Sequence, residues 1–153
     1  MNLYMVPLRA RHVRRIGPYL RDQDQAEALA LDGRPAIQHL SEAVGIPGSF
    51  AIMNGSVPCG ACGVTPAEYL GEGVGIAWAV GTPRLTSNQR EFLRASREVL
   101  AEWHKQFPIL SNGIHAENTK HIRWLHRLGA RFVYEGESPT GAKFRSFLLC
   151  VNQ

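Results

Sequence analysis

Residues 118–132 read Asn-Thr-Lys-His-Ile-Arg-Trp-Leu-His-Arg-Leu-Gly-Ala-Arg-Phe. Asn118 can accept a hydrogen bond from the first turn of a helix, and Gly129 is the residue type that most easily ends one. The stretch therefore predicts a helix from Asn118 to Leu128. Strands are expected on both sides of this helix, over residues 109–116 and 132–135.

The region before this helix predicts a second passage of strand, helix and strand. Residues 75–80 read Gly-Ile-Ala-Trp-Ala-Val and predict a strand, and residues 89–106 carry one apolar stripe at helical spacing. Thr86 or Ser87 is expected to cap that helix, and Pro108 marks its exit. A strand joined to a parallel neighbour needs a crossover connection. The two passages therefore predict a sheet with parallel as well as antiparallel strand pairs.

The first half of the chain predicts a short strand, three helices and a meander of strands. Helices are expected at residues 10–21, 25–31 and 35–44. Further strands are expected at residues 3–7, 49–53, 57–65 and 144–151. Asp22 or Asp24 can cap the second helix, and Asn54-Gly55 is a strong turn signal for a hairpin. The element order is therefore β, helices, βββ, α, β, α, ββ.

This order predicts one α+β domain, with a mixed α/β arrangement around a single sheet, over residues 1–153. A chain of 153 residues suits one hydrophobic core and leaves little room for a second. Hydrophobic residues make up 44% and charged residues 20%, which is the composition of an ordinary globular protein and argues against a disordered chain.

The net charge favours anionic partners. Basic residues outnumber acidic ones by 17 to 13, and the isoelectric point is about 9.3. A phosphate-bearing cofactor, an acidic protein or nucleic acid would fit this excess, and so would a solvated basic surface without a partner. The basic clusters at residues 9–15 and 120–131 contain few aromatic side chains for base stacking. We therefore do not expect nucleic acid as the partner.

Two further patterns concern the compartment and metal binding. The sequence has no signal-peptide pattern and no apolar run near the roughly 20 residues of a membrane helix, so we predict a soluble, cytoplasmic protein without a membrane partner. Three cysteines fit a reducing compartment. Cys59-Gly-Ala-Cys62 lacks the second ligand pair that zinc needs, and residues three apart on a strand face opposite ways. We expect two small buried residues and no metal site.

The element order resembles that of the GCN5-related N-acetyltransferase (GNAT) superfamily. Members share a stretch that runs Asn, three residues on a small residue, then an aliphatic residue, a Tyr at plus seven, Gly at plus eleven and usually Phe next. In this sequence Asn118, Ile122 and Gly129 match in register. The aromatic residue, Phe132, lies slightly further along the chain than the pattern expects, and Leu125 occupies the Tyr position. The pattern Trp-Leu-x-x-Leu-Gly at residues 124–129 also resembles the sequences of small GNAT-like proteins of T7-like tailed phages.

A second pattern resembles the GNAT phosphate loop, Arg-x-x-Gly-x-Gly-x-x-Leu-Leu. Arg84 matches the arginine, Phe92 and Leu93 match the apolar pair, and Ser87 and Gln89 stand where the glycines are expected. The resemblance implies a GNAT fold, with a central, mostly antiparallel mixed sheet flanked by helices. It also implies acetyl-CoA or another acyl-CoA as cofactor and an amine as acceptor. The implied cofactor-binding residues are Ala79, Val80, Gly81, Arg84, Ser87, Asn88, Gln89 and Asn118.

The catalytic residues implied by the resemblance are a base and an acid. His115 or Glu117 would be the base, while Leu125 cannot supply the proton that the usual Tyr gives to the thiolate. His121, His126 and Ser111 are further candidates nearby, and each can instead be a structural group. The missing Tyr and glycines keep a second hypothesis open: an inactive GNAT-fold phage protein, acting as a virion component or as a binder of a host protein.

Overall fold

The computed structural model describes residues 2–151 of the chain. Its strands are β1 (Leu3–Pro7), β2 (Ser49–Asn54), β3 (Val57–Pro66), β4 (Val74–Gly81), β5 (Ile109–His115), β6 (Arg131–Glu137) and β7 (Lys143–Cys150). Its α-helices are α1 (Ala10–Ile16), α2 (Asp22–Asp32), α3 (Ala36–Ala43), α4 (Gln89–Trp103) and α5 (Thr119–Arg127). Short 3₁₀ turns lie at Gly17–Tyr19 and Glu68–Leu70.

All seven strands form one sheet in the order β1-β2-β3-β4-β5-β7-β6. Within residues 2–151, β4 and β5 are the one parallel pair, and the other neighbours are antiparallel. The prediction of a mixed, mostly antiparallel sheet is confirmed. The second crossover differs from the expectation, because β7 lies between β5 and β6. Those two strands run in the same direction without pairing.

Local signals determined most helix ends, and several of the predictions were wrong, among them the end of the first helix, the cap of α4 and the cap of α2. The first helix ends at Ile16, and a 3₁₀ turn containing Pro18 follows, because proline cannot donate the hydrogen bond that would continue the helix. The N-cap of α4 is Asn88, whose Oδ1 accepts the Glu91 N–H at 3.1 Å, so neither Thr86 nor Ser87 caps it.

The second helix begins earlier than expected. Arg21 holds its N-cap position without a side-chain cap, so neither Asp22 nor Asp24 is the cap. The fourth helix ends at Trp103, three residues before its predicted end, while two predictions for α5 are confirmed. Asn118 caps α5, and Gly129 follows that helix at a φ of +92°, a left-handed conformation that favours glycine.

The sheet separates two apolar clusters. On one face, α1 and α3 pack on β1 to β3, with Ile16 and Leu40 among the buried side chains. On the other face, α5 packs on β4, β5 and β7 through residues such as Leu125 and Phe147. Cys59 and Cys62 are both buried, as predicted. Across residues 2–151, no helix has the length and apolar character needed to cross a bilayer.

Candidate functional site

A gap in the middle of the sheet is the feature around which the site is built. β4 and β5 pair only from Val74–Ile109 to Ile76–Ser111, and beyond that point the strands diverge. Asn112 bridges the start of the gap, because its Nδ2 donates to the carbonyl oxygen of Ala77 at 2.9 Å. A strand edge that faces a gap offers backbone groups to a ligand instead of to a neighbouring strand.

The far end of this open edge is covered by the start of α2. The Gly81 N–H donates to Asp24 Oδ2 at 2.8 Å, and the Gly81 carbonyl accepts the Arg21 N–H at 2.9 Å. Backbone groups of alternate residues along a strand point the same way. Ala79, between Ala77 and Gly81, therefore turns its N–H and carbonyl towards the gap.

A cavity of about 850 Å³ passes through this gap and reaches both faces of the sheet. We call it the central cavity. On one face, residues of α2 line it opposite β5 and β7: Asp24, Glu27, Ala28, Leu31, Gly113, Phe144 and Ser146. On the other face, its wall is the inner side of α4. This volume lies in the range of small-molecule and cofactor sites.

Glu27 and Asp24 are the two α2 carboxylates that line the central cavity, and Asp24 is already held by the Gly81 N–H and by Arg21. Glu27 Oε2 accepts a hydrogen bond from Asn118 Nδ2 at 2.8 Å, and the backbone of His115 also hydrogen bonds to the Glu27 carboxylate. Burial is the largest influence and raises the pKa of Glu27 from 4.5 to about 7, with the nearby Asp24 charge acting in the same direction. A carboxylate with this pKa can take up and release a proton near neutral pH.

His121 stands on the opposite side of the gap, on the first turn of α5. Its ring lies 4.9 Å from the Trp124 ring, and its Nδ1 is buried without a hydrogen-bond partner. Burial, together with the charge of Arg21, lowers the pKa of His121 from 6.5 to about 3. The imidazole is therefore neutral at physiological pH, with one nitrogen left for a ligand that enters the gap.

A second cavity, of about 670 Å³, adjoins the first. Both are lined by Ala79, Val80, Leu85, Phe92, His121 and Trp124. Its outer wall carries four basic residues, Arg21, Lys120, Arg123 and Arg127, and one acidic residue, Asp22. We call these four basic residues the basic mouth. Gln89, the first residue of α4, also lines it, so the positive end of that helix adds to the field.

The predicted cofactor residues are only partly brought together. Ala79 and Val80 line both cavities, and Gln89 lines the second one. Arg84, Ser87 and Asn88 are not among the lining residues. The Ser87 hydroxyl donates to the Arg84 carbonyl at 2.8 Å, so both residues are part of the turn before α4.

The predicted catalytic pair lies beside the site and not in it. His115 and Glu117 are 3.9 Å apart, between Nε2 and Oε2, but neither is among the residues that line the two cavities. The Glu117 side chain is 88% exposed, while the His115 ring packs on Phe144. Asn118 is buried and holds Glu27 in addition to capping α5.

Of the further histidine and serine candidates, His121 lines both cavities, and His126 and Ser111 line neither. The His126 ring packs on Phe132, and the Ser111 hydroxyl donates to the Phe147 carbonyl. In the described part of the chain, no group of three or more His, Cys, Asp or Glu side chains is placed to hold a metal ion.

Sequence reasoning missed Glu27, Asp24 and Arg21. The α2 sequence has alanine and leucine on all sides and therefore no clear apolar face, so nothing marked Glu27 as pointing inward. The spacing of Asp24 and Glu27 is the signal that could have found it, because residues three apart lie on the same face of a helix. Asn112 was also missed, because a polar residue in a predicted strand is usually solvent-facing.

The whole chain is similar to solved structures of GNAT acetyltransferases. One from Bacillus anthracis covers 100% of this chain and 97% of its own, with a TM-score of 0.74 and 12% identity. A GCN5-related N-acetyltransferase from Kribbella flavida covers 97% of this chain and 98% of its own, with a TM-score of 0.68 and 14% identity. The ribosomal-protein-S18-alanine N-acetyltransferase from Escherichia coli covers 99% of this chain and 96% of its own, with a TM-score of 0.67 and 11% identity. The chain therefore has the GNAT fold, as its sequence predicted.

Part of the chain also matches a family model. Residues 74–136 match the family described as "Bacteriophage T7, probable scaffold protein Gp13". The matched segment begins at β4 and ends within β6, so it includes the gap, α4 and α5. It is less than half of the chain, and it links that segment to a phage family. No curated protein sequence matches this chain.

Proposed function

We propose that the protein is an acyl-CoA-dependent N-acyltransferase, which transfers an acetyl or longer acyl group to an amine acceptor. The observation that carries this proposal is the gap between β4 and β5, which joins the basic mouth on one side to the Glu27 carboxylate on the other. A phosphate-bearing cofactor and an amine would enter from these two sides and meet beside Ala79.

The basic mouth supports the cofactor half of the proposal. Coenzyme A carries a diphosphate, which needs positive charge and N–H donors. The N–H groups of Gln89 and Arg90 have no partner within α4, because the first four N–H groups of a helix lack one. Lys120 and Arg123 add charge next to this helix end. The free backbone of Ala79 would then hold the amide-bearing arm of the cofactor in the manner of an added strand.

Glu27 supports the chemical half. Acyl-CoA would supply a thioester, and attack of the amine nitrogen on its carbonyl carbon forms a C–N bond as the C–S bond breaks. The amine must lose a proton in this exchange, and the Glu27 carboxylate is the acceptor we assign to it. The departing thiolate leaves with its electron pair and takes its proton from water. His115 and Glu117 stay as alternative bases from the sequence.

A non-enzymatic role is the second candidate, and the phage family match favours it. Under this hypothesis the protein is a virion component, or binds a host protein. The central cavity is then inherited with the fold and has no catalytic role. Leu125, at the position of the usual Tyr, is 2% exposed and belongs to the apolar cluster under α5. No acid is therefore supplied from that position.

Thermal unfolding with and without coenzyme A separates the two candidates. A ligand that binds the native state alone raises the midpoint in a concentration-dependent way. We expect a rise for the unmodified protein and its loss in Arg123→Glu. Arg84→Glu is the matched charge reversal outside the lining residues, and we expect it to keep the rise. If Arg84→Glu loses the rise and Arg123→Glu keeps it, the phosphates bind at the loop that the sequence suggested. The absence of any rise at millimolar coenzyme A would refute the enzymatic proposal.

A further inference from the structure

The inner face of α4 is an apolar surface that the fold covers only in part: Leu100 and Trp103 pack against the cluster under α5, and the Phe92 ring stacks on Trp124 at 5.2 Å. This helix is strongly amphipathic, and such a helix normally buries its apolar stripe in a core. No residue of α4 is fully buried. The stripe instead lines the central cavity, with Phe92, Ala95, Val99, Leu100 and Trp103.

The opposite wall is a row of apolar side chains across four strands. Met5 pairs with Ile52, Phe50 pairs with Cys62, and Cys62 pairs with Ala79. Directly paired residues point to the same face of a sheet, and so do residues two apart on one strand. Met5, Ile52, Cys62 and Ala79 therefore form one row facing α4. All four line the central cavity, and we call the space between this row and α4 the α4 groove.

Polar groups at the α4 groove are either neutral or already satisfied. The Ser96 hydroxyl donates to the Phe92 carbonyl at 2.7 Å and accepts the Trp124 Nε1–H at 3.2 Å. Burial raises the pKa of the Cys62 thiol to about 12, so the thiol is uncharged. An occupant of the groove consequently meets carbon and sulfur atoms and no unpaired charge. Such a surface favours an aliphatic chain.

We propose that the α4 groove holds the aliphatic chain of an acyl thioester longer than acetyl. This inference rests on the proposed function, and it names the class of acyl donor. The argument for this occupant is continuity: Ala79 contributes its side chain to the row and its backbone to the gap. A thioester placed at the gap would therefore have its acyl chain at the entrance of the groove. An acetyl group has no chain with which to fill it.

The test compares the binding of acetyl-CoA and octanoyl-CoA to the unmodified protein by isothermal titration calorimetry. Each methylene transferred from water to an apolar site tightens binding about fourfold. We expect octanoyl-CoA to bind at least about fifteenfold more tightly, which corresponds to two buried methylenes at about fourfold each. Equal dissociation constants for the two thioesters would overturn the inference and leave the proposed function intact. Failure of both thioesters and of coenzyme A to bind would overturn both.

A pair of variants on α4 locates the chain. Ala95→Phe places a ring in the groove, and we expect it to remove the octanoyl advantage while acetyl-CoA still binds. Ala101→Phe makes the same change at an exposed position of the same helix and is expected to keep the advantage. An advantage that survives Ala95→Phe would place the chain elsewhere. A dimer that Ala95→Phe abolishes, without any effect of chain length, would assign the groove to a second copy and refute the acyl-chain proposal.

Discussion

Replacing Glu27 with glutamine is expected to make the protein more stable than the unmodified chain at pH 8 and equally stable at pH 4. The side-chain amide of the Glu27→Gln variant keeps an oxygen that can accept the hydrogen bonds from Asn118 and from the backbone of His115. The substitution therefore removes the ionisation of Glu27 with little change in shape. The stability difference reports the free energy of holding a carboxylate at this position.

The magnitude follows from the pKa. The pKa of Glu27 changes from 4.5 to about 7 on folding, and at about 1.4 kcal/mol per pKa unit this is about 3 kcal/mol. Below pH 4.5 both states hold the proton, and there is no penalty. As the pH rises from 4.5 through 7, the unfolded chain loses the proton that the native protein retains, so the native state becomes less stable. The variant lacks this loss and gains its full advantage above pH 7.

Urea unfolding followed by tryptophan fluorescence at pH 4, 6 and 8 measures the effect. The free energy of unfolding is obtained by linear extrapolation, and the m-values of the two proteins need to agree. Glu117→Gln is the control, because that side chain is 88% exposed and surface substitutions change stability little. A difference between Glu27→Gln and the unmodified protein that does not grow between pH 4 and pH 8 would refute the burial of a perturbed carboxylate.

Two further outcomes are expected from the same site. The free energy of unfolding of His121→Phe is expected to exceed that of the unmodified protein by about 3 kcal/mol near pH 4. The native His121 stays neutral there, whereas the unfolded chain takes up a proton at this position below pH 6.5. Unchanged unfolding in acid would contradict this. Asn118→Ala is expected to cost about 1–3 kcal/mol at pH 7, since it removes both the α5 cap and the hydrogen bond to Glu27. Thermal unfolding of that variant measures the loss, and a loss below about 0.5 kcal/mol would show that neither contact stabilises the fold.

Local features of the chain were sufficient to predict most of the fold. The cap at Asn118, the stop at Gly129 and the Asn54-Gly55 turn depend on side chains and φ angles within a few residues of each other. Apolar periodicity likewise reports which stretch is a strand and which is a helix. Some of the failures were also local, since several polar residues near a helix start compete for the cap, and Asn88 takes that position instead of Thr86 or Ser87. The position of β7 between β5 and β6 was missed for another reason, because strand order depends on segments far apart in the chain.

The chemistry of the site was decided by tertiary structure. Glu27 meets Asn118 across 91 residues of sequence, and its raised pKa exists only because folding buries it there. Arg21 joins Lys120 and Arg123 because α2 and α5 reach the same end of the gap. The gap itself arises where β5 leaves β4 after three paired residues. By itself, the sequence determined the order and type of the elements, because those depend on near neighbours. Which charges share a cavity depends on packing between distant segments, and only the folded chain establishes it.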